Sequence, residues 1–379
     1  MLVSQKNNNS QQCPLCKSKK VVTYSADYPL FQHMDFSETD KTLLIAECEH
    51  CQLIFNLHTK SEVAYLTSLF KSKDYSNSQQ TRQTIDVHEY NEPVSRSFLQ
   101  AEILSKYIID KNQGLNILDI GCFDASLLLE LEKKMEAKTL CGFDINPYLI
   151  NHFPKKSNFS FVSGELASIK GSFDLICLSH SLILINNLPD LMHQLHRLVN
   201  ENGIIFIQVP DINKNQLNIL LGDQFYFFSA DNLSKIFNNN GFNVQLHHSP
   251  WFPREIIAVV STEKFSINKN NEALLLPTLL NNIDIQINKL KQYQNNNNAE
   301  LFVLGTTLNA AFVEKILGTT VKCFVDENKH KIGTMFCQKK VIHPKQLSPN
   351  DYLVIPYGVN NQNIKEKFEK KYQLHYLFI

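Results

Sequence analysis

Residues 117–126 read Ile-Leu-Asp-Ile-Gly-Cys-Phe-Asp-Ala-Ser, an apolar strand that runs into a glycine turn. Helically spaced leucines follow at positions 127, 128, 129 and 131. A second apolar stretch, Leu140-Cys141-Gly142-Phe143, ends on Asp144, 25 positions after Asp119. A strand, a tight turn, a helix and a second strand closing on an acid predict an open α/β sheet. The glycine lets backbone approach a ligand, and the later acid accepts hydrogen bonds from ribose hydroxyls. Gly121-x-x-x-Ala125 does not satisfy the dinucleotide fingerprint, so the turn alone does not name the ligand.

Three further features do. Asp119 stands two residues before the turn glycine, where dinucleotide folds place an apolar residue, and a carboxylate there can serve a cationic ligand end. A buried strand enters through Phe173-Asp174 and leaves through Ser179-His180. Gly203-Ile204-Ile205-Phe206-Ile207-Gln208-Val209-Pro210 follows an amphipathic helix from Leu188 to Val199. This order resembles the Rossmann-like class I S-adenosylmethionine-dependent methyltransferases over about residues 98–260. The resemblance implies S-adenosylmethionine as cofactor, held by Asp119, Gly121, Cys122, Phe123, Asp144, Ile145 and Ser179. A doubly wound domain that binds another ligand, NAD included, is the alternative.

Composition limits the partners. The 379 residues predict two or three domains, and 37 basic against 37 acidic side chains give no electrostatic case for nucleic acid. No apolar run spans a bilayer, and Gln5-Lys6-Asn7-Asn8-Asn9 is no signal-peptide core, so the expectation is a cytoplasmic protein without membrane contact. Of nine cysteines, Cys122, Cys141, Cys177, Cys323 and Cys337 read as buried thiols.

The other four carry a metal signature. Cys13-Pro14-Leu15-Cys16 and Cys48-Glu49-His50-Cys51 form two C-x2-C pairs with 31 residues between them. Each gap lets both thiolates turn toward one ion, and two such knuckles complete a tetrahedral zinc site. With four protein ligands the ion is structural, and His50 is left out of the set. Val21–Tyr24 and Leu43–Ala46 are expected as strands between the knuckles.

The chain therefore divides into a zinc-binding module (1–60), a polar connecting segment that lines the active site (61–97), and the methyltransferase core (98–260). A helical linker (261–298) and a C-terminal Rossmann-like αβ unit (299–379) complete it. A helix is expected from near Pro93 and another from Ala230 to Asn239, with closing strands Phe242–Leu246 and Ile256–Val260. Leu274, Leu275, Leu279, Leu280, Ile283 and Leu290 predict one or two linking helices, and Asn295–Asn298 reads as a solvated hinge. In the last unit, Leu301–Thr307 is a strand and glycine turn, Val321–Asp326 a strand ending in acid, and Asp351–Pro356 a third strand. Gly305 and Asp326 there are equally readable as a nucleotide site and as plain architecture.

Taken whole, the chain resembles bacterial zinc-binding C-methyltransferases that act on nucleotide-linked deoxysugars. The matching stretches are Cys48–Leu53, Asp74-Tyr75-Ser76-Asn77-Ser78, Ile120–Asp124 and Asp326–Gly333. The resemblance implies a sugar nucleotide between the core and the C-terminal unit, deprotonated beside a 4-keto group and methylated as its enolate. The expected catalytic residues are Asp223, His180, Tyr75 and Gln224, with Tyr226 a further phenol. Three positions depart from the family pattern. Asp223-Gln224 replaces a Glu-His dyad, Ile183-Leu184 replaces a Glu-His pair after Ser179-His180, and Thr306, Thr307 and Asn309 follow the C-terminal glycine. Glutamine cannot relay a proton as histidine does, so O- or N-methylation of a sugar or other small metabolite, and a non-catalytic scaffold, are the competing readings. The oligomeric expectation is monomer or homodimer. His193 and His196 read as helix-surface or core residues rather than site residues.

Overall fold

The computed structural model describes residues 3–6, 11–32, 36–39, 41–78, 84–85, 87, 89–90, 92–107, 114–263, 276–296, 300–349, 351–358, 361–372 and 374–378. Its largest sheet has seven strands: β1 (Leu115–Ile120), β2 (Ala137–Asp144), β3 (Phe159–Ser163), β4 (Phe173–Ser179), β5 (Val199–Pro210), β6 (Asn243–His247) and β7 (Glu255–Ser261). Their order is β3-β2-β1-β4-β5-β7-β6, with β7 antiparallel to both β5 and β6 and the other pairs parallel. The inner strands read as unbroken apolar runs because both faces are covered. In β4, Leu175 and Cys177 pack on one side while Ile176 and Leu178 pack on the other. Helices Arg96–Ser105 and Ser126–Lys134 cover the first side, and Leu188–Leu198 and Ala230–Asn239 the second. The strand order reverses between β1 and β4, and the crevice beyond their carboxyl ends is where open α/β sheets bind ligands.

The N-terminal module is a five-stranded sheet ordered Val3–Lys6, Val21–Ala26, Leu43–Cys48, Ile54–Asn56 and Tyr226–Phe227. Its last strand comes from within the core's own stretch of sequence, with Tyr226 opposite Phe55 and Phe227 opposite Ile54. Period-two alternation then wedges the sheet between two cores. Ala46, Cys48 and Phe55 face the core sheet, whereas Leu43, Ile45 and Ile54 face the helix Leu276–Asn296 and the C-terminal unit. Each such buried aliphatic or aromatic side chain contributes about 1.5–3 kcal/mol, so the interfaces on both faces resemble domain interiors.

Helix Lys60–Phe70 starts at a Thr59–Glu62 capping box and leads into helix Lys73–Ser78. The linker holds one helix among the described residues, and it runs through Asn295 to Asn296. The expected hinge is helical there because Leu290 and Tyr293 pack into the second core, and packing overrides the weak propensity of asparagine. Leu274, Leu275, Asn297 and Asn298 lie outside the described residues. The C-terminal sheet contains β8 (Leu301–Leu304), β9 (Val321–Val325), β10 (Met335–Phe336), β11 (Lys339–Ile342), β12 (Tyr352–Ile355) and β13 (His375–Phe378), ordered β10-β11-β9-β8-β12-β13. No helix among the described residues is long and apolar enough to cross a membrane.

Candidate active site

The turn after β1 is tied to the end of β2. The Gly121 and Cys122 N–H groups donate to the Phe143 carbonyl at 2.7 and 3.1 Å. Gly121 has φ +82°, and a Cβ placed on it would stand 2.5 Å from the Ser181 Cβ, so no other residue fits. Phe123 and Ala125 are left-handed without being glycine, at φ 46° and 60°. Such strain, about 1–3 kcal/mol per residue, collects where a ligand must be met. Asp144 Oδ1 accepts from Asn146 N–H at 2.9 Å and Oδ2 from Phe123 N–H at 3.4 Å. Burial pushes the Asp144 carboxyl up to about 6, against the pull of the N–H groups of Asn146, Phe123 and Ile145.

Asp119 is buried, and its Oδ1 has no hydrogen-bond partner among the described residues. Burial, helped by the charges of Asp144 and Asp124, pushes it up to about 8. Two buried acids facing one crevice, one with an unpartnered oxygen, call for a ligand that brings hydroxyl donors and positive charge.

The exit of β4 forms the second wall. Ser179 Oγ accepts from Gln100 Nε2 at 2.6 Å, and Gln100 also donates to Gln208 Oε1 at 2.8 Å. His180 has φ +59°, and its N–H donates to the Gln208 carbonyl at 2.8 Å. No hydrogen bond from its ring to a carbonyl is found among the described residues. Instead Nε2 lies 3.1 Å from Glu255 Oε2 and 3.2 Å from Arg96 Nη1. Arg96 Nη1 reaches both Glu255 oxygens at 2.8 Å, and its guanidinium lies 5.1 Å from the Phe252 ring centre. Burial alone would raise the Glu255 carboxyl, but Arg96 and His180 hold it well below the usual carboxylate range.

The third wall comes from two distant segments. Asn146 Nδ2 donates to the Ser72 carbonyl at 2.8 Å and Ser72 Oγ accepts from Tyr75 N–H at 3.1 Å, which pins helix Lys73–Ser78 beside the Asp144 loop. Tyr75 packs edge-on against Phe70, with ring centres 5.4 Å apart. Burial pushes its phenol up, and the charges of Asp223 and Asp144 push it further. Asp223 and Gln224 are both buried, on a stretch whose Gly222 N–H donates to the Phe31 carbonyl at 2.9 Å. The Gln224 carbonyl accepts from Asn56 Nδ2 at 2.8 Å and faces His58 Nε2 at 3.1 Å, and burial pulls His58 down. Gln224 Nε2 has no partner among the described residues.

Residues 89–247 match the family model described as "Methyltransferase domain". This stretch runs from ahead of β1 to the end of β6. A trans-aconitate 2-methyltransferase from Deinococcus radiodurans is 23% identical over 105 residues, 27% of this chain. The chain spans only 41% of that relative's length. Among solved structures, the magnesium protoporphyrin IX methyltransferase of Synechocystis PCC 6803 is 14% identical with a TM-score of 0.39, over 52% of this chain and 98% of that one. A plantazolicin methyltransferase is 15% identical with a TM-score of 0.41, over 53% and 94%.

Within the methyltransferase domain and its neighbours, several expected side chains serve the fold. Tyr226 is tied to the fold: its hydroxyl donates to the Asn186 carbonyl at 2.6 Å. Ile183 is buried in the core, and its carbonyl accepts from Phe225 N–H at 2.9 Å. His196 stacks on Phe242 with ring centres 4.0 Å apart. Arg96, Gln100, Gln208 and Glu255 enter the site without having been expected. Only Gln208 advertised itself, as the one polar residue in the apolar run of β5.

The cysteine pairs share one geometry. Lys17 and Gln52, each following a pair, are left-handed at φ 59° and 61° and donate back to the Cys13 and Cys48 carbonyls. The four Sγ atoms lie within 4.8 Å of one another, with Cys13–Cys51 and Cys16–Cys48 at 3.6 Å. Hydrogen bonding within the cluster pushes Cys13 and Cys51 up and pulls Cys48 down, because sulfurs this close cannot all ionise without a cation among them.

The glycine turn of the C-terminal unit is filled. A Cβ on Gly305 would stand 1.9 Å from the Tyr357 hydroxyl, and burial pushes that phenol up to about 12. Arg254, beside Glu255 in sequence, lies over the Tyr357 ring at 5.4 Å. An amide-rich groove opens next to this contact, lined by Asn213, Lys214, Gln216, Asn309, Pro356 and Gly358.

Proposed function

We propose that this protein C-methylates a nucleotide-linked keto-deoxysugar, taking its proton and then directing the enolate at the methyl donor. The observation that carries the reading is the pair of hydrogen bonds from Asn146 to Ser72 and from Tyr75 N–H to Ser72, which sets Tyr75 beside the Asp144 loop. Burial raises its phenol, and the charges of Asp223 and Asp144 add to that, which supports Tyr75 as a hydroxyl donor near both acids. When bound, S-adenosylmethionine supplies an electrophilic methyl carbon on a sulfonium, positioned by Asp119, Gly121, Cys122, Phe123, Asp144, Ile145 and Ser179. Asp223 or His180 removes the proton beside the ketone and keeps it. Tyr75 stays protonated and donates to the carbonyl oxygen as it gains charge, while Gln224 orients the sugar without titrating. The polar groove beside Asn213 and Asn309 suits the nucleotide end. Because Gln224 stands where the dyad histidine belongs, O- or N-methylation is the second reading: there the acceptor's own hydroxyl or amine lowers the demand on a base.

The test is a nucleotide-sugar panel incubated with protein and donor, in which one member gains about 14 Da, the methylene equivalent that defines methylation. Asp223→Asn is expected to lower turnover by roughly 10²–10⁴ with little change in cofactor affinity. Substrate in deuterated water is expected to exchange its acidic C–H. A product methylated on oxygen or nitrogen, with no exchange in the parent enzyme, transfers the assignment to the second reading.

We also propose one structural zinc ion on Cys13, Cys16, Cys48 and Cys51. Zn–S bonds of ~2.3 Å in a tetrahedron put sulfurs ~3.8 Å apart, close to the spacing found here. Metal analysis is expected to give about one zinc per chain, released by Cys48→Ser with loss of the N-terminal module's stability. A folded, reduced sample without metal refutes it.

A further inference from the structure

We infer that Glu255, clamped by Arg96, is a positioning residue that keeps the proton of neutral His180 on Nε2 and leaves Nδ1 as the proton acceptor facing the cleft. The inference rests on methyl transfer in this cleft and holds whether the acceptor atom is carbon, oxygen or nitrogen.

Three elements meet at this point. His180 follows β4, Glu255 opens β7, and Arg96 opens the helix Arg96–Ser105. The antiparallel register sets Glu255 opposite Pro210 and Gln208 opposite Ile257, so the ends of β5 and β7 arrive together. Gln208 Nε2 donates to Glu255 Oε2, and Arg96 Nη1 lies 2.8 Å from both of its oxygens. An ionised carboxylate can only accept and a guanidinium can only donate. His180 Nε2 lies 3.1 Å from Glu255 Oε2 and 3.2 Å from Arg96 Nη1, and the closer contact, to the carboxylate, is favourable only if Nε2 carries the hydrogen. Nδ1 then holds the lone pair, and no hydrogen bond to it is found among the described residues. The left-handed backbone of His180, φ +59°, lies just past the carboxyl end of β4, where open α/β sheets bind ligands, a strain that the surrounding bonds sustain. An acid that fixes the tautomer of a histidine base is a recurring device in proton transfer. Here it supplies the base function that Gln224 cannot.

The same geometry predicts what removal does. In Glu255→Gln the charge that holds Arg96 is gone, and Arg96 Nη1, 3.2 Å from His180 Nε2, becomes a donor to that nitrogen. The imidazole proton moves to Nδ1, and the acceptor is lost without moving the ring.

The experiment needs no substrate. The full chain, labelled with ¹⁵N-histidine and saturated with S-adenosylhomocysteine, is observed by nitrogen NMR above the pH at which the ring is charged, with His180→Gln assigning the signal. The expected parent spectrum shows Nε2–H and bare Nδ1. Glu255→Gln is expected to reverse that, while Glu255→Asp, which keeps the charge, restores the parent tautomer at least in part. Circular dichroism and unchanged S-adenosylhomocysteine affinity establish that each variant is folded. With any panel sugar that gains a methyl group, Glu255→Gln is expected to lower kcat by roughly 10²-fold or more, and to have no further effect in a His180→Gln background. A parent signal with the hydrogen on Nδ1, or the same tautomer in parent and Glu255→Gln, overturns the proposal. If no panel sugar is methylated, the substrate reading fails by itself and the tautomer still decides this one.

Discussion

The methyltransferase sheet and the C-terminal sheet begin with the same turn. Gly121 and Gly305 sit at φ +82° and +84°, and each donates its N–H at 2.7 Å to a carbonyl at the end of the neighbouring strand, that of Phe143 or Val325. In each, the next residue is an acid, Asp144 or Asp326, whose Oδ1 accepts at 2.9 Å from the N–H two positions on. The two turns then part. Two residues before the first glycine stands Asp119, buried with an unpartnered oxygen; two before the second stands buried Val303. Ser181 stands over the first glycine and the larger Tyr357 over the second, and Asp326 has Lys331 at 3.6 Å. The backbone motif is a general way to join two parallel strands. The two turns differ in the size of what covers the glycine and in the buried acid that only the first one has.

The sharpest way to break this contrast is to empty the filled turn. Tyr357→Ala removes a ring that packs on Gly305 and under Arg254, and a loss of about 2–4 kcal/mol in unfolding free energy is expected. Denaturant titration reads it. Affinity for S-adenosylhomocysteine should stay within about twofold, since that site belongs to the other sheet. If the opened turn gains measurable affinity for a nucleotide, Tyr357 is a gate and not a filler.

A second prediction sets the two acids against each other. Asp144→Ala should weaken cofactor binding by about 1.5–3 kcal/mol, through lost charge-assisted hydrogen bonds to the ribose. Asp326→Ala should leave it within about 0.5 kcal/mol. Calorimetry with S-adenosylhomocysteine separates them, and equal losses would mean that both turns serve one ligand.

Much of this was legible in the sequence, and the illegible part has a common cause. Buried parallel strands read as continuous apolar runs, so β1, β2, β4 and β5 and the Asp119–Gly121–Asp144 constellation appear without a structure. The cysteine pairs announce themselves by spacing. What a sequence cannot show is which distant polar residues meet. Arg96 and Glu255 are 159 positions apart, and neither lies in a motif. Gly305 reads like Gly121 because Tyr357 reaches it only through the fold of the C-terminal sheet. The pairing of Tyr226–Phe227 with Ile54–Asn56 rests on a two-residue strand, too short for a periodic signal. In the same stretch the Tyr226 hydroxyl donates to the Asn186 carbonyl, a contact across 40 positions. The candidate base His180 was visible, whereas the acid that orients it was not.

The smallest expected effect is a pH dependence that only the ligand-binding turn should show. Burial raises Asp144 to about 6 and Asp119 to about 8, both above the ordinary range for aspartate. The folded, unliganded protein therefore binds more protons than the unfolded chain between about pH 4 and 8, so these groups make it less stable as pH rises through that window. A ligand that donates hydroxyl hydrogens to Asp144 favours its ionised form, so binding must release protons and strengthen as pH rises. Taking Asp144 alone, ionisation goes from about one-tenth at pH 5 to nearly complete at pH 7, about tenfold in affinity or ~1.4 kcal/mol. Calorimetry in buffers of different ionisation enthalpy measures the released protons. Asp144→Asn should flatten the slope at a lower affinity, and Asp326→Asn should leave it as it is. Should the slope survive in Asp144→Asn, Asp119 is the acid that titrates, and the profile should then move toward pH 8, where that carboxyl ionises. Should it vanish in Asp326→Asn, the two turns are coupled, and the contrast between the two glycine turns fails.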